Sequence, residues 1–219
     1  MQHYKEFIWY EFDVSELLPK NWQFTIIEFA KNNGVSRSLI PTSVTSREGQ
    51  NSDPINVMTV GGKKIKVGLP WLFKLYEMEF KSIGQTIVDE QISTANDERY
   101  AININIQKGT TMRYECHVDS NPLEGLLYIT DHPKGAGGEL VVSNRTTANG
   151  VKEILEDCKI IYPKAGHLVF FDARENPHFV TSLNYPDDIR VVVAMNYYMP
   201  SWSEEMRPKD LNKHLFGEL

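Results

Sequence analysis

The spacing of hydrophobic positions changes near residue 95. Before it, helical spacing dominates. "PKNWQFTIIEFAKNNG" begins with Pro19, suited to a first helical turn, and ends with Gly34, suited to a C-terminal cap. "LPWLFKLYEMEFKSIG" repeats the device with Pro70 and Gly84, and its Leu72, Leu75 and Tyr76 follow helical spacing. Between them, "SREGQNSDPINVMTVGGKK" is polar and glycine-rich and predicts a long mobile loop or hairpin over about residues 41–66.

After residue 98 the period becomes two. "RYAININIQKG" alternates Ile102, Ile104 and Ile106 with Asn103, Asn105 and Gln107, which predicts a strand with one apolar and one amide face. "GLLYITDH", "GGELVVSN", "KIIYPKAGHLVFFDA" and "IRVVVAMNYYM" are further β-rich runs separated by turn residues, as in a sandwich, jelly roll or barrel. Gly137 and Gly138 read as a turn with positive φ. An amide face suits a polar pocket better than a dry core. The expected organisation is one domain over 1–219: a mainly helical part at 1–97, a β core at 98–200 and a tail at 201–219.

Composition narrows the function classes. A chain of 219 residues with 41% hydrophobic content suits one globular domain. A net charge of −6 argues against a nucleic-acid-binding face. Cys116 and Cys158 form no metal or disulfide spacing. "MQHYKEFIWYEFD" lacks an apolar signal segment, and no run approaches the ~20 apolar residues of a membrane span. The expectation is a soluble cytoplasmic protein with no membrane partner. Asn144-Arg145-Thr146 reads as a polar turn rather than a glycosylation site. Nothing in the sequence indicates an oligomeric state.

The candidate chemistry centres on "RYECHVDSNP". His117 and Asp119, two apart on a strand or its end, point to the same side and can reach one metal ion. His178 in "FFDARENPHFV" is the best second histidine. Two His and one carboxylate make the facial set used by non-haem iron(II) oxygenases, with three positions left open. His-x-Asp alone is a weak signal. Arg190, twelve residues after His178, strengthens it, because a guanidinium inside a barrel needs an anion. The dicarboxylate 2-oxoglutarate would supply one.

Residues 99 to 200 resemble the Fe(II)/2-oxoglutarate-dependent oxygenase superfamily, and within it the prolyl-hydroxylase-like branch. The matching stretches are "YECHVDSNP", "GLLYITDHPKGAGGELVV", "GHLVFFDARENPHFV" and "RVVVAMNYY". The resemblance implies an α+β fold with a double-stranded β-helix core, a cupin-like jelly roll, and N-terminal helices packed on it. It implies iron(II), 2-oxoglutarate and dioxygen, with ascorbate as a reductant, and Tyr128 beside Arg190 on the distal carboxylate. Gln107 stands where the branch often has a Tyr, so its place on the cosubstrate departs from the pattern. Some relatives that halogenate have a small residue in place of the carboxylate. Asp119 therefore favours hydroxylation, with desaturation, epoxidation and ring formation left open.

The expected substrate is a small polar metabolite, a free amino acid or derivative. A prolyl residue in a peptide or protein is the alternative. A non-catalytic cupin-like metal-binding or interaction protein is the alternative of another class. Candidate substrate residues are Tyr114, Arg113, Glu115, Asn103, Asn105, Asp172, Arg174, Asn196 and Trp202. Each has a plainer reading: packing for Tyr114 and Trp202, a solvated pair for Arg113 and Glu115. His167 reads as a strand-edge residue, and His3, His132 and His214 as surface residues.

Overall fold

The computed structural model describes residues 3–48 and 53–216. Its strands are β1 (Trp9–Asp13), β2 (Val35–Leu39), β3 (Ile55–Val60), β4 (Ser93–Thr94), β5 (Ile102–Lys108) and β6 (Tyr114–His117), followed by β7 (Leu123–Tyr128), β8 (Leu140–Ser143), β9 (Cys158–Ile161), β10 (His167–Phe171), β11 (His178–Val180) and β12 (Ile189–Tyr198). The helices are α1 (Trp22–Asn33), α2 (Gly62–Gly68), α3 (Pro70–Leu75), α4 (Lys81–Ile87), α5 (Glu98–Ala101), α6 (Gly150–Glu156) and α7 (Leu211–Phe216). A π-helical turn, Tyr76–Phe80, joins α3 to α4.

Two antiparallel sheets face each other. The major sheet runs β1-β10-β7-β12-β5-β3-β2, with β4 paired to β12; the minor sheet runs β6-β11-β8-β9. This is the expected jelly roll within an α+β chain. The major sheet is covered on both faces, so β12 reads as one long apolar run rather than an alternation. On one face the helices bring Ile26, Ile65, Leu72 and Phe80 against Ile102, Ile104, Val191 and Val193. On the other, Leu126, Val192 and Ala194 meet Leu140, Val142 and Val180 of the minor sheet.

Several expectations need correction. Residues 1–97 are not mainly helical alone: β1 extends the major sheet beside β10, and β2 and β3 extend it beyond β5. The loop expected at 41–66 ends early. Ile55–Val60 pairs with β5, and Gly62–Gly68 is helical. Ser43–Glu48 docks on β6 through Arg47 N–H to Cys116 O (2.7 Å) and Val118 N–H to Thr45 O (2.9 Å). Residues 49–52 of that loop lie outside the described residues. Pro19 precedes α1, whose N-cap is Asn21 in the left-handed region. Pro70 does open α3. Gly84 does not end its helix; it is buried in α4, where a Cβ would stand 3.0 Å from Leu123 Cδ2. Within the expected tail at 201–219, α7 brings Leu211 and Leu215 to the cavity wall, and residues 217–219 lie outside the described residues.

Gly137 and Gly138 have φ of +81° and +78°. A Cβ at Gly137 would lie 2.2 Å from Ser182 O, which is backbone and cannot move aside. Gly137→Ala is therefore expected to lower the unfolding free energy by roughly 2 kcal/mol or more, measured by urea denaturation.

Candidate active site

Strand pairing builds the first half of the site. β6 and β11 are antiparallel neighbours with His117 directly opposite His178, and the imidazole centroids lie 4.1 Å apart. Asp119 follows two residues on, held by its N–H to Ala173 O at 3.0 Å. Its Oδ1 stands 3.5 Å from Nε2 of each histidine. One ligand atom from each of the three lies within 4.8 Å of the others, a set that could hold one metal ion.

The histidines are also oriented. His117 Nδ1 lies 2.8 Å from Glu115 O, and His178 Nδ1 lies 3.1 Å from Asn176 O. A carbonyl only accepts, so each Nδ1 carries the hydrogen and each Nε2 offers its lone pair inward. Burial and the neighbouring imidazole of His117 push His178 down to about 4, against the pull of Asp119. Burial opposes charge on His117 as well, but the hydrogen bond and charge of Asp119 outweigh it and raise it. Asp119 Oδ2 is buried and has no hydrogen-bond partner.

The second half lies on the floor made by the major sheet. Rows across β5, β12 and β7 follow the register: Gln107–Arg190, then Asn105–Val192–Tyr128, then Asn103–Ala194–Leu126, then Asn196–Glu124. Arg190 is 2% exposed, yet its Nε and Nη2 have no partner. Its Nη1 donates to Gln107 Oε1 at 3.2 Å. The guanidinium carbon lies 5.7 Å from the Tyr128 ring centroid, and the buried Tyr128 hydroxyl is likewise unpartnered. Gly138 leaves room for this group, since a Cβ there would come within 2.9 Å of Arg190 Cδ. Unsatisfied donors around one buried cation fit a carboxylate of 2-oxoglutarate. Gln107 is not free to join them: its Nε2 donates to Met112 O (3.3 Å) and Thr181 O (3.1 Å). It holds Arg190 instead.

A cavity of about 120 Å³ joins the two halves, and Asn103, Asn105, Asn196, Tyr114 and Glu115 are among its lining residues. Arg113 lines it too, but it does not pair with Glu115. Arg113 binds Glu48 at 2.7 and 3.0 Å, while Glu115 Oε1 lies 2.6 Å from His214 Nε2. Asp172, Arg174 and Trp202 are not part of the cavity wall. Asp172 and Arg174 pair with each other, and Arg174 stacks on Trp202 at 4.5 Å. The first two line a separate pocket with Lys5 and Asn176. His167 pairs with Glu11 at 2.7 Å at the far edge of β10.

Some wall residues escaped the sequence reading. Glu124 on β7 and Arg207 before α7 both face the cavity. Glu124 had a signal, a charge within the apolar "LEGLLY"; Arg207 had none. His132 is buried rather than at the surface, beside Arg190, whose charge adds to burial in pushing its imidazole down, and the His214 side chain is largely covered where it meets Glu115.

Residues 93–199 match the family model described as the 2OG-Fe(II) oxygenase superfamily. No curated protein matches the chain. Among solved structures, it is similar to SnoN, a non-haem α-ketoglutarate-dependent epimerase from nogalamycin biosynthesis: 13% identity, TM-score 0.57, covering 90% of this chain and 83% of that one. It is similar to a prolyl hydroxylase from Trichoplax adhaerens in complex with a peptide fragment: 12% identity, TM-score 0.56, covering 88% and 84%. It is also similar to HygX from Streptomyces hygroscopicus with nickel and 2-oxoglutarate bound: 9% identity, TM-score 0.57, covering 88% and 83%. Residues 93–199 thus form a 2OG-Fe(II) oxygenase core, and that family works with iron(II), 2-oxoglutarate and dioxygen. No helix among the described residues is long and apolar enough to cross a membrane.

The neutral state of His178 has a consequence for the metal-free protein. Its folded value of about 4 lies below an unfolded value of about 6.5, so the stability it contributes is present above pH 6.5 and lost on descent toward 4. Relative to His178→Asn, the wild type is expected to lose roughly 3 kcal/mol over that interval. Paired denaturant curves at each pH measure it, and parallel profiles would contradict it.

Proposed function

We propose that this oxygenase hydroxylates an unactivated C–H bond of a small polar metabolite, a free amino acid or derivative. In this reading His117, Asp119 and His178 hold the iron. Arg190 and Tyr128 hold the distal carboxylate of 2-oxoglutarate, and Gln107 positions Arg190. When bound, iron couples decarboxylation of 2-oxoglutarate to succinate with oxidation of the substrate. The chain's own work is binding and orientation. The carbonyls of Glu115 and Asn176 keep both histidines in the tautomer that ligates. The apolar middle of the floor, Val192, Ala194 and Leu126, keeps water from the reacting carbon.

One observation carries the choice of a small substrate. The cavity is closed on one side by the C-terminal segment, where Arg207, Leu211 and Leu215 form part of its wall. That segment is anchored. Trp202 Nε1 donates to Ser120 O at 3.0 Å, and Glu204 accepts the N–H groups of Asn96 and Asp97. His214 closes on the buried Glu115. A largely apolar compartment of this size, with amide and charged groups at fixed points of its wall, suits a compact molecule with a few hydrogen-bonding groups.

Mass spectrometry on a metabolite pool with iron(II), 2-oxoglutarate and oxygen tests the reading. The expected result is a gain of one oxygen on a small amino compound, matched by succinate. Oxidation confined to proline-containing peptides would overturn it. Arg190→Ala is expected to weaken 2-oxoglutarate binding by about tenfold to a hundredfold while metal affinity stays nearly unchanged, read by anaerobic titration. Equal loss of both would make Arg190 a structural residue.

A further inference from the structure

Glu124 stands at the end of the floor opposite the cluster of Arg190, Gln107 and Tyr128. Six residues of β12 separate the rows of Arg190 and Asn196, roughly 20 Å along an extended strand. Glu124 is 8% exposed and lines the cavity. Asn121 Nδ2 donates to its Oε2 at 3.0 Å, and Asn121 is tied in turn to Leu123 O at 2.8 Å. No described residue forms an ion pair with Glu124. The charge of Arg207 is felt at Glu124 without a contact, since its Nε is unpartnered and both Nη groups are committed elsewhere. Nη1 donates to Ser120 Oγ (3.0 Å), Nη2 donates to Asn212 Oδ1 (3.0 Å), and the group stacks on Tyr100 at 4.0 Å.

A buried carboxylate without a cation is costly to keep. A plain structural role does not account for it, since a leucine would suit the rest of "LEGLLY" and its packing. The neighbouring amides are complementary. Asn196 Nδ2 is occupied by Tyr100 O at 2.7 Å, which turns its Oδ1 into a second free acceptor beside Glu124. Two acceptors and no cation make a receptor for a group that only donates.

We infer that Glu124, with Asn196 beside it, is the substrate-recognition site for a protonated amine, so that the substrate enters with its ammonium at this end and its reacting carbon toward His117, Asp119 and His178. The inference rests on the small-metabolite reading and deepens it. Burial, then the charge of Asp119, raises the Glu124 carboxyl, opposed by Asn121, Arg207 and the backbone of Met195. An arriving ammonium restores the carboxylate and forms a charge-assisted pair in a site shielded from water.

The test uses the full chain loaded with nickel(II) and 2-oxoglutarate, so that binding is read without turnover. The probes are the twenty protein amino acids and their N-acetyl counterparts, screened by thermal shift and quantified by calorimetry. The expected result is binding of one or more free amino acids about tenfold or more tighter than the acetylated forms. Glu124→Gln keeps the shape and the Asn121 hydrogen bond. It should abolish that preference while 2-oxoglutarate affinity and melting temperature stay at wild-type level. Glu124→Asp should restore part of the preference. No binding by any free amine, or a preference that survives Glu124→Gln, overturns the inference. Binding and oxidation of neutral small molecules with no dependence on Glu124 would also overturn it while leaving the small-metabolite reading standing. Oxidation of prolyl peptides alone would sink that reading itself.

Discussion

The site depends on one register: β6 against β11, with His117 facing His178. Antiparallel pairing puts the two rings on the same face at about contact distance, and Asp119 joins because residues two apart share a side. A slip of one residue would turn one imidazole outward and leave the other without its partner. Ser43–Glu48 reinforces the pairing by docking along β6, and Glu48 accepts from Cys116 N at 2.6 Å while binding Arg113. The surroundings of the candidate ligands are therefore held by backbone hydrogen bonds, which set direction more rigidly than side-chain packing does.

The floor of the cavity is organised by charge. The Arg190 guanidinium sits at one end, the Glu124 carboxyl at the other, and apolar side chains lie between. Neither group has an ion-pair partner among the described residues. Isolated buried charges reduce stability, so both are read as parts of a site whose partners are ligands. Gln107 shows how such a charge is kept in place. Its amide spends both donors on backbone carbonyls and turns its one acceptor to Arg190.

Much of this was legible in the sequence where a side chain's role follows from its neighbours along the chain. The alternation of Ile102 to Ile106 with Asn103 to Gln107 announced both faces of β5, and the amide face does line the cavity. The spacing of His117 and Asp119 identified one corner of the candidate metal site. Other readings failed where distant segments decide. The polar stretch before residue 66 looks like a loop by composition, but β5 offers an unpaired edge that draws Ile55–Val60 into the sheet. Arg113 and Glu115 look like a pair in sequence, but segments from elsewhere in the chain supply each with a nearer partner, Glu48 and His214.

The sequence by itself determined the periodicities, and with them the elements that fold, the chemistry-bearing residue types and the family they point to. Only the tertiary structure decided which of those residues share a space. Asp172 and Arg174 are close in sequence to His178 yet lie outside its cavity, because they line a separate pocket, and Arg174 stacks on Trp202. Glu124 and Arg207 are far from each other in sequence yet line it together, because β7 lies in the floor and the C-terminal segment folds back across it. The reason is physical. Local pattern encodes which face of a strand is polar, whereas the identity of the group opposite is set by sheet order and by chain returning from elsewhere, which no local pattern records.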